Sequence, residues 1–148
     1  MARVVSVNIS EKKGVRKHAV DRIELRPGWG IVGDAHAGNW HRQISMLAEE
    51  SIDTMRALGL SQLNPGAFAE NINTEGIELK SLPVGTKLRI GDCLVEVTQI
   101  GKECHNDGCA IQKATGRCVM PTEGIFVIVV QGGFVQKDDS ITVWQSAL

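Results

Sequence analysis

The chain is dominated by short β-branched runs, each closed by a turn that contains glycine. Val5, Val7 and Ile9 alternate with more polar neighbours, which is typical of a half-buried strand. Gly91-Asp92 between two apolar runs predicts a hairpin. The predicted strands are residues 4–9, Arg22–Leu25, Ile44–Leu47, Thr86–Ile90, Leu94–Ile100, Ile125–Val130, Phe134–Val135 and Ile141–Trp144.

One segment carries a convincing helical pattern. Ala48, Ile52, Met55 and Leu58 recur at helical spacing, and Gly59 follows where a terminating glycine belongs. Residues 65–71 add a single turn. Many short strands with little helix predict a mostly β, single domain over residues 1–148, a closed or partly open β-barrel with one main helix and short peripheral helical turns.

Composition limits the core and the function class. The chain has no Tyr, three Phe and three Trp, so its core must be aliphatic. The net charge of −1 argues against a general nucleic-acid binder. No apolar run reaches the roughly 20 residues of a membrane span, and the start MARVVSV lacks a secretion signal. We therefore expect a cytoplasmic protein with reduced thiols, bound neither to nucleic acid nor to a membrane.

The segment Gly28–Gly33 fits the G-x-G-x-x-G pattern of dinucleotide sites. That mechanism needs a strand entering the glycines and a helix starting on them. Pro27 interrupts the entry, and Gly38 and Asn39 stand where the helix should be. The segment is better interpreted as a glycine-rich β-turn region, and no NAD site is expected.

A polar loop at residues 33–43 brings together Asp34, His36, His41 and Arg42. Binding groups favour loops on a rigid scaffold. Asp34 and Asn39 could equally make ordinary turn hydrogen bonds. The residues alone leave both interpretations open.

A second polar segment, at residues 65–72, contains Pro65-Gly66, which forms a turn, followed by Glu70 and Asn71. Taken alone, it predicts a capped turn with a solvated Glu70.

The four cysteines are Cys93, Cys104, Cys109 and Cys118. Lys102 and His105 beside Cys104 would favour its thiolate, the form that attacks, carries sulfur or binds soft metals. The alternative is a zinc site from Cys104, His105, Cys109 and Cys118, but its spacing fits a tetrahedral ion poorly, so zinc is not expected. Cys93, inside a hairpin, suits inert packing.

The chain resembles the MOSC domain, named for the C-terminal domain of molybdenum-cofactor sulfurases, and looks most like its small stand-alone bacterial members. Four stretches carry the likeness in the family's order. They are GDAHAGNWHRQISMLAEES at 33–51, PGAFAENINTEGI at 65–77, LPVGTKLRIGDCLVEVTQIGKECH at 82–105 and MPTEGIFVIVVQGGFVQKDDSI at 120–141.

The resemblance implies a β-barrel-like fold and a cysteine, on the loop after the long strand, that ligates molybdenum or carries sulfur. That position falls on Cys104, with Lys102 as the basic residue common near it. Glu70-Asn71 correspond to the family's Glu-Asn pair, but Ala69 replaces the usual glycine. Asp138 also replaces a common glycine, which should change only turn geometry.

The leading hypothesis is therefore a protein that binds the molybdenum cofactor, molybdopterin, or carries sulfur to it. Cys104 is the catalytic and metal-binding candidate, and His36, His41, Arg42, Asn71 and Lys102 are the cofactor-binding candidates. Expected partners are cofactor-biosynthesis or sulfur-donor proteins, and an electron-transfer protein if the chain is a reductase component. The alternatives are a non-catalytic delivery or partner-binding module and, last, a structural zinc-binding β-domain.

Overall fold

The computed structural model describes residues 2–13, 15–59, 63–101 and 123–144. Within these residues the chain is mostly β with one main helix, as predicted. The elements in chain order are β1 (Arg3–Ile9), β2 (His18–Val20), β3 (Arg22–Arg26), β4 (Gly30–Ile31), β5 (Ile44–Ala48), α1 (Glu49–Arg56), β6 (Ile72–Glu75), a 3₁₀ turn (Leu79–Ser81), β7 (Lys87–Ile90), β8 (Cys93–Ile100), β9 (Ile125–Gln131), β10 (Gly133–Gln136) and β11 (Ile141–Trp144).

The larger sheet has the strand order β11-β7-β8-β9-β5-β6-β1-β2, and a smaller sheet has the order β10-β3-β4. Neighbouring strands run antiparallel except for β5 and β6, which are parallel. Residues 138–141, just before and at the start of β11, bond to the first residues of the chain through Ala2 and Val4 and form one isolated bridge between Ser140 and Arg3, but β11 and β1 form no ladder. In the described part of the chain the strand ladder does not complete a barrel, so the predicted closure is only partial.

The core is aliphatic, as the lack of tyrosine predicts. The alternating strand residues of both sheets form one cluster, which includes Val4, Ile31, Met46, Val95 and Val127, all fully buried. Burying such a side chain contributes roughly 1.5–3 kcal/mol. These residues form the rigid scaffold on which the polar loops lie.

The helix covers one side of the sheet through Ile52 and Met55, which pack with Leu47 and Phe126. It ends at Arg56, two residues before Leu58. No helix in the described ranges is both long and apolar enough to cross a membrane.

The predicted strands are confirmed, and no bound differs from the predicted one by more than one residue. The predicted hairpin turn at Gly91-Asp92 is confirmed, because Ile90 pairs with Cys93. Three strands were not predicted: β2, β4 and β6. The first two are only three and two residues long, too short to show a period.

The glycine-rich segment is a β-turn region, which confirms that interpretation. Gly30 and Ile31 pair with the end of β3 as β4, and no helix begins at these glycines. Gly30 has a φ of 115°, and a Cβ there would lie 3.1 Å from Cβ of Gln43. A side chain at this position would therefore strain the backbone and push the end of the polar loop away from β4.

Candidate functional site

The polar loop of residues 33–43 connects β4 to β5 and is attached to the sheets along its length. The Ala35 N–H donates to the Ser10 carbonyl at 2.8 Å, and the Gly38 N–H donates to the Trp29 carbonyl at 2.7 Å. Gln43 is buried, and its Oε1 accepts from the Val129 N–H at 3.0 Å. The side chains of the polar loop therefore project from a fixed backbone.

A buried ion pair lies beneath the loop. Lys17 Nζ lies 2.7 Å from Asp34 Oδ1, and both side chains are 0% exposed. Burial alone would raise the pKa of Asp34. The Lys17 ammonium and the N–H groups of Ser10 and His36 outweigh burial and lower this pKa. Asp34 is therefore ionised at neutral pH, where it anchors the loop rather than donating a proton.

His36 lies directly above this pair. Its ring Nδ1 is 3.0 Å from Lys17 Nζ, and its backbone N–H donates to Asp34 Oδ2 at 3.1 Å. Its ring stacks on Trp40 with an interplanar angle of 7°, and Trp40 Nε1 donates to the His36 carbonyl at 2.8 Å. Lys17 and Trp40 therefore fix the orientation of the His36 ring.

Trp40 also contacts Lys13 and His41. Lys13 Nζ lies 4.9 Å from the centre of the Trp40 ring, and His41 packs edge-on against the same ring. Cations are attracted to the face of an indole. The loop therefore presents a surface of stacked rings and positive charge.

Gln99, near the end of β8, holds the other two predicted loop residues. Its Oε1 accepts from Arg42 Nε at 3.1 Å and lies 3.0 Å from His41 Nε2, while its Nε2 donates to the Gly101 carbonyl at 2.8 Å. The pairing of β8 with β9 shifts register between Val97 and Gln99. Such bulges re-aim side chains beside functional sites.

Thr98, within that irregularity, also joins the strand to the loop. Its hydroxyl donates to the His41 carbonyl and also lies 3.1 Å from the Phe126 carbonyl. The Arg42 guanidinium lies over the Phe126 ring. The structure therefore brings His41 and Arg42 together at the C-terminal end of β8, and Trp40, which packs against the rings of both His36 and His41, connects His36 to them.

Asn71 lies deeper than these residues and is fully buried. Its Oδ1 accepts from the Ser45 N–H at 3.0 Å, and its Nδ2 donates to the Asn8 carbonyl at 3.1 Å. Both atoms of the amide are used to join β5, β1 and the start of β6. In this arrangement Asn71 supports the sheet from which the loop emerges.

Glu70 is fully buried, so the prediction of a solvated Glu is wrong. Its carboxylate accepts from the N–H groups of Gly66 and Phe68 and from Asn73 Nδ2, at 2.6 Å in the last case. Asn73 Oδ1 in turn accepts from Asn8. Burial raises the pKa of Glu70, although these donors oppose the rise. The carboxylate folds the 66–70 turn onto the sheet, and local turn chemistry gives no sign of this tertiary role.

The two positions where the chain departs from the family's glycine both have a left-handed backbone. Ala69 has a φ of 62° and Asp138 a φ of 75°. Residues other than glycine seldom adopt this conformation, although aspartate tolerates it better than alanine. The prediction that the aspartate changes only turn geometry stays a prediction, but the glycine preference at both positions has a physical reason.

Cys93 is fully buried at the start of β8. Burial, with the charges of Asp92 and Asp139, raises the pKa of its thiol to about 11. A thiol with this pKa is inert near neutrality, as expected of a packing residue.

The other cysteines lie outside the described residues, and so do two predicted ligands. These residues are Lys102, Cys104, His105, Cys109 and Cys118.

No group of three or more His, Cys, Asp or Glu within the described ranges could hold a metal ion. A cavity of about 360 Å³ opens beside the start of α1, away from the polar loop, and is lined by Ala48, Glu50, Ser51, Gly76, Ile77, Glu78, Leu79, Lys80 and Glu123. None of the predicted site residues that the structure describes lines it.

Sequence reasoning missed Lys17 and Gln99, which position the predicted loop residues. Lys17 lies on the connection between β1 and β2, and no local pattern marks it as buried. Gln99 lies beside the predicted cysteine loop, so its place near the end of the long strand was a usable signal.

Fold and site together define a small, mostly β domain that presents a histidine- and arginine-bearing loop above a buried polar network. The chain belongs to the MOSC domain family, whose model matches residues 33–142. That family is associated with molybdenum-cofactor sulfurase-like proteins.

Solved structures share the fold. YuaD from Bacillus subtilis is 21% identical with a TM-score of 0.79, and 98% of each chain is covered. YiiM from Geobacillus stearothermophilus is 17% identical with a TM-score of 0.73, covering 98% of this chain and 76% of that one. YiiM from Escherichia coli is 22% identical with a TM-score of 0.66, covering 99% and 71%. No curated protein matches the chain.

Proposed function

We propose that this chain binds the molybdenum cofactor, with Cys104 as the ligand of molybdenum or as the carrier of sulfur delivered to it. One observation carries the proposal. Gln99 joins His41 and Arg42 to the Gly101 carbonyl, and Cys104 follows Gly101 by three residues in the sequence. Three residues of extended chain span at most about 11 Å.

The chemistry of the described residues suits the organic part of the cofactor. Its phosphate needs cationic donors, and a guanidinium such as that of Arg42 binds phosphate in a directional, often bidentate way. The pterin is a flat ring with carbonyl and amide edges, which suits a surface of stacked rings and imidazoles such as His36 and His41. In this proposal Lys102 adds a further cation, and Asn71 supports the site from the buried side.

Cys104 supplies the group that the described residues lack. A thiolate is a soft ligand for molybdenum and the attachment point for a persulfide. When bound, molybdenum would supply two-electron redox chemistry. The chain's own groups would bind and orient the cofactor, and partners would provide the rest: a sulfur-donor or cofactor-biosynthesis protein for loading and, in a reductase, an electron-transfer protein.

The test is cofactor content after expression in a host that makes the cofactor. We expect molybdenum and pterin, or a persulfide on Cys104 by intact-mass spectrometry, in the wild type and their loss in Cys104→Ser. Cys93→Ala is the matched control, because that thiol is buried and should leave both signals in place. A wild type with neither cofactor nor persulfide would refute the proposal.

The same metal measurement separates the rivals. Cofactor retained in Cys104→Ser would favour a delivery module whose contacts lie elsewhere. About one zinc per chain would instead support the structural zinc site.

A second pair of variants tests the loop. Arg42→Gln should lower pterin content. Arg89→Gln should not, because Arg89 pairs with Leu94, at the opposite end of β8 from Gln99. Equal pterin content in both variants would exclude Arg42 from the site.

A further inference from the structure

Glu70 is fully buried, and its carboxyl group holds the turn that precedes it. The Phe68 N–H donates to Oε1 at 2.9 Å, and the Gly66 N–H donates to Oε2 at 3.2 Å. Oε2 also accepts from Asn73 Nδ2 at 2.6 Å. Asn73 is itself fixed, because its Oδ1 accepts from Asn8 Nδ2 at 2.7 Å. The position of the turn therefore depends on the two carboxyl oxygens of Glu70.

The 66–70 turn lies directly against the backbone of Lys17. The Lys17 N–H donates to the Gly66 carbonyl at 2.9 Å. Gly66 has a φ of 88°, and a Cβ there would lie only 2.2 Å from the Lys17 carbonyl oxygen. Both the backbone conformation and the lack of room therefore require glycine at this contact.

Lys17 in turn anchors the start of the polar loop. Its Nζ lies 2.7 Å from Asp34 Oδ1 and 3.0 Å from Ser10 Oγ, and the side chains of Lys17 and Asp34 are both 0% exposed. Asp34 Oδ1 also accepts from the Ser10 N–H at 3.1 Å, and the Ser10 carbonyl accepts from the Ala35 N–H at 2.8 Å. Lys17 therefore fixes the loop from its buried side.

Contacts thus run without interruption from Glu70, through Gly66 and Lys17, to the polar loop. We infer that Glu70 is a positioning residue for this loop, which it orients through its hold on Gly66 and Lys17. Glu70 is 0% exposed, so it acts on a bound ligand only through these neighbours. The loop carries His41 and Arg42, and the consequence for cofactor binding rests on the proposed function.

Hydrogen exchange followed by NMR tests this connection in the wild-type chain without cofactor, at increasing urea concentration. If the turn and the loop open together, the amides of Phe68, Lys17 and Ala35 should share one opening free energy and one urea dependence. An Ala35 amide that opens independently of Phe68 would overturn the inference.

Glu70→Gln tests whether the carboxyl group is the cause. A glutamine amide has one acceptor oxygen, and its nitrogen only donates, so at least one of the three donors loses its partner. We expect the Lys17 and Ala35 amides to exchange faster by about tenfold or more, relative to the Val97 amide. Val97 donates to the Thr86 carbonyl at 2.8 Å, between β7 and β8, and reports any general loss of stability. Equal acceleration at all three amides would indicate a merely structural role and overturn the inference.

Glu50→Gln is the matched control for this variant. Glu50 also accepts from a glycine N–H, that of Gly76 at 2.9 Å, but it lies in α1 and not beside the polar loop. The Lys17 and Ala35 amides should keep their wild-type exchange rates relative to Val97.

Gly66→Ala tests the contact with Lys17 by a different route, because the added Cβ should push the turn away while Glu70 stays in place. Gly85→Ala is its control: Gly85 has a φ of 96°, but no atom lies within 4 Å of an added Cβ. We expect faster exchange of the Lys17 amide, relative to Val97, in Gly66→Ala alone. The same relative rate in both variants would overturn the role of the contact.

Cofactor content then tests the consequence for the site. Glu70→Gln should lower the pterin content per folded chain, and Glu50→Gln should not. Equal contents in the two variants, with pterin present in the wild type, would overturn the role of Glu70 in positioning the site. A wild type without pterin would count against the proposed function and leave the exchange results standing, so the two proposals fail separately.

Discussion

Ala69 occupies a backbone conformation that suits glycine, so Ala69→Gly should stabilise the protein. Its φ of 62° lies in the left-handed region, where the Cβ approaches the following carbonyl oxygen. That conformation costs an alanine roughly 1–2 kcal/mol. The turn cannot relax, because the neighbouring Glu70 is held by the N–H groups of Gly66 and Phe68.

The gain is smaller than the whole strain, because glycine also loses more conformational freedom on folding. This entropy term is about 0.4–1 kcal/mol. The free energy of unfolding should therefore rise by about 0.5–1 kcal/mol. For a chain of 148 residues the unfolding entropy is about 0.3 kcal/mol per degree, so Tm should rise by about 2–3 °C.

Ala57→Gly is the matched control. Ala57 is exposed, follows α1 and has a φ of −65°, which an alanine adopts without strain. Glycine there should lower the free energy of unfolding by about 0.5–1 kcal/mol. Urea unfolding followed by circular dichroism measures both variants. The reasoning is refuted if Ala69→Gly destabilises the protein as much as Ala57→Gly does.

Three further predictions concern the buried groups. Lys17→Met leaves Asp34 as an unpaired buried charge, so the free energy of unfolding measured in urea should fall by about 3–5 kcal/mol. Adding Asp34→Asn should recover part of this loss. An unchanged free energy of unfolding in Lys17→Met would contradict the role of the ion pair. The pH dependence of stability should contain two opposite contributions. Folding lowers the pKa of Asp34, so Asp34 contributes stability above pH 3.8 that is lost as the pH falls through its folded pKa. Folding raises the pKa of Glu70, so Glu70 contributes stability below pH 4.5 that is lost as the pH rises through its folded pKa. Asp34→Asn and Glu70→Gln should therefore each flatten a different limb of the stability curve, and identical curves would refute both assignments. Cys93, with a thiol pKa of about 11, should resist iodoacetamide at pH 8 in the folded protein and react in denaturant, as peptide mass spectrometry can show; rapid labelling of the folded chain would contradict its burial.

Strand prediction succeeded where burial is periodic and apolar. In β7 the residues alternate between partly and fully buried, and Leu88 and Ile90 face the core. In β9 a continuous apolar run is buried on both faces, because Val127 and Val129 lie in the main core and Phe126 packs with the helix. In both cases the hydrophobic effect acts on a pattern that is visible along the chain.

The candidate site was only partly predictable, for a different reason. His36, His41 and Arg42 share one loop, so their proximity follows from the sequence. Their partners come from elsewhere: Lys17 is 19 residues from His36, and Gln99 is 57 residues from Arg42. No local propensity encodes such pairs, because the strand order brings them together.

The missed strand β6 connects these two lessons. Its sequence, Ile-Asn-Thr-Glu, has a single apolar residue, yet residues 72–74 are all buried. Asn73 is polar on a buried face because it donates to the Glu70 carboxylate and accepts from Asn8. Most buried polar groups are hydrogen-bonded, as Asn73 is, and a strand that carries such residues on its buried face cannot show a hydrophobic period. The hydrogen bonds that join Asn8, Asn73 and Glu70 therefore explain both why β6 lacks a hydrophobic pattern and how the buried Glu70 is held.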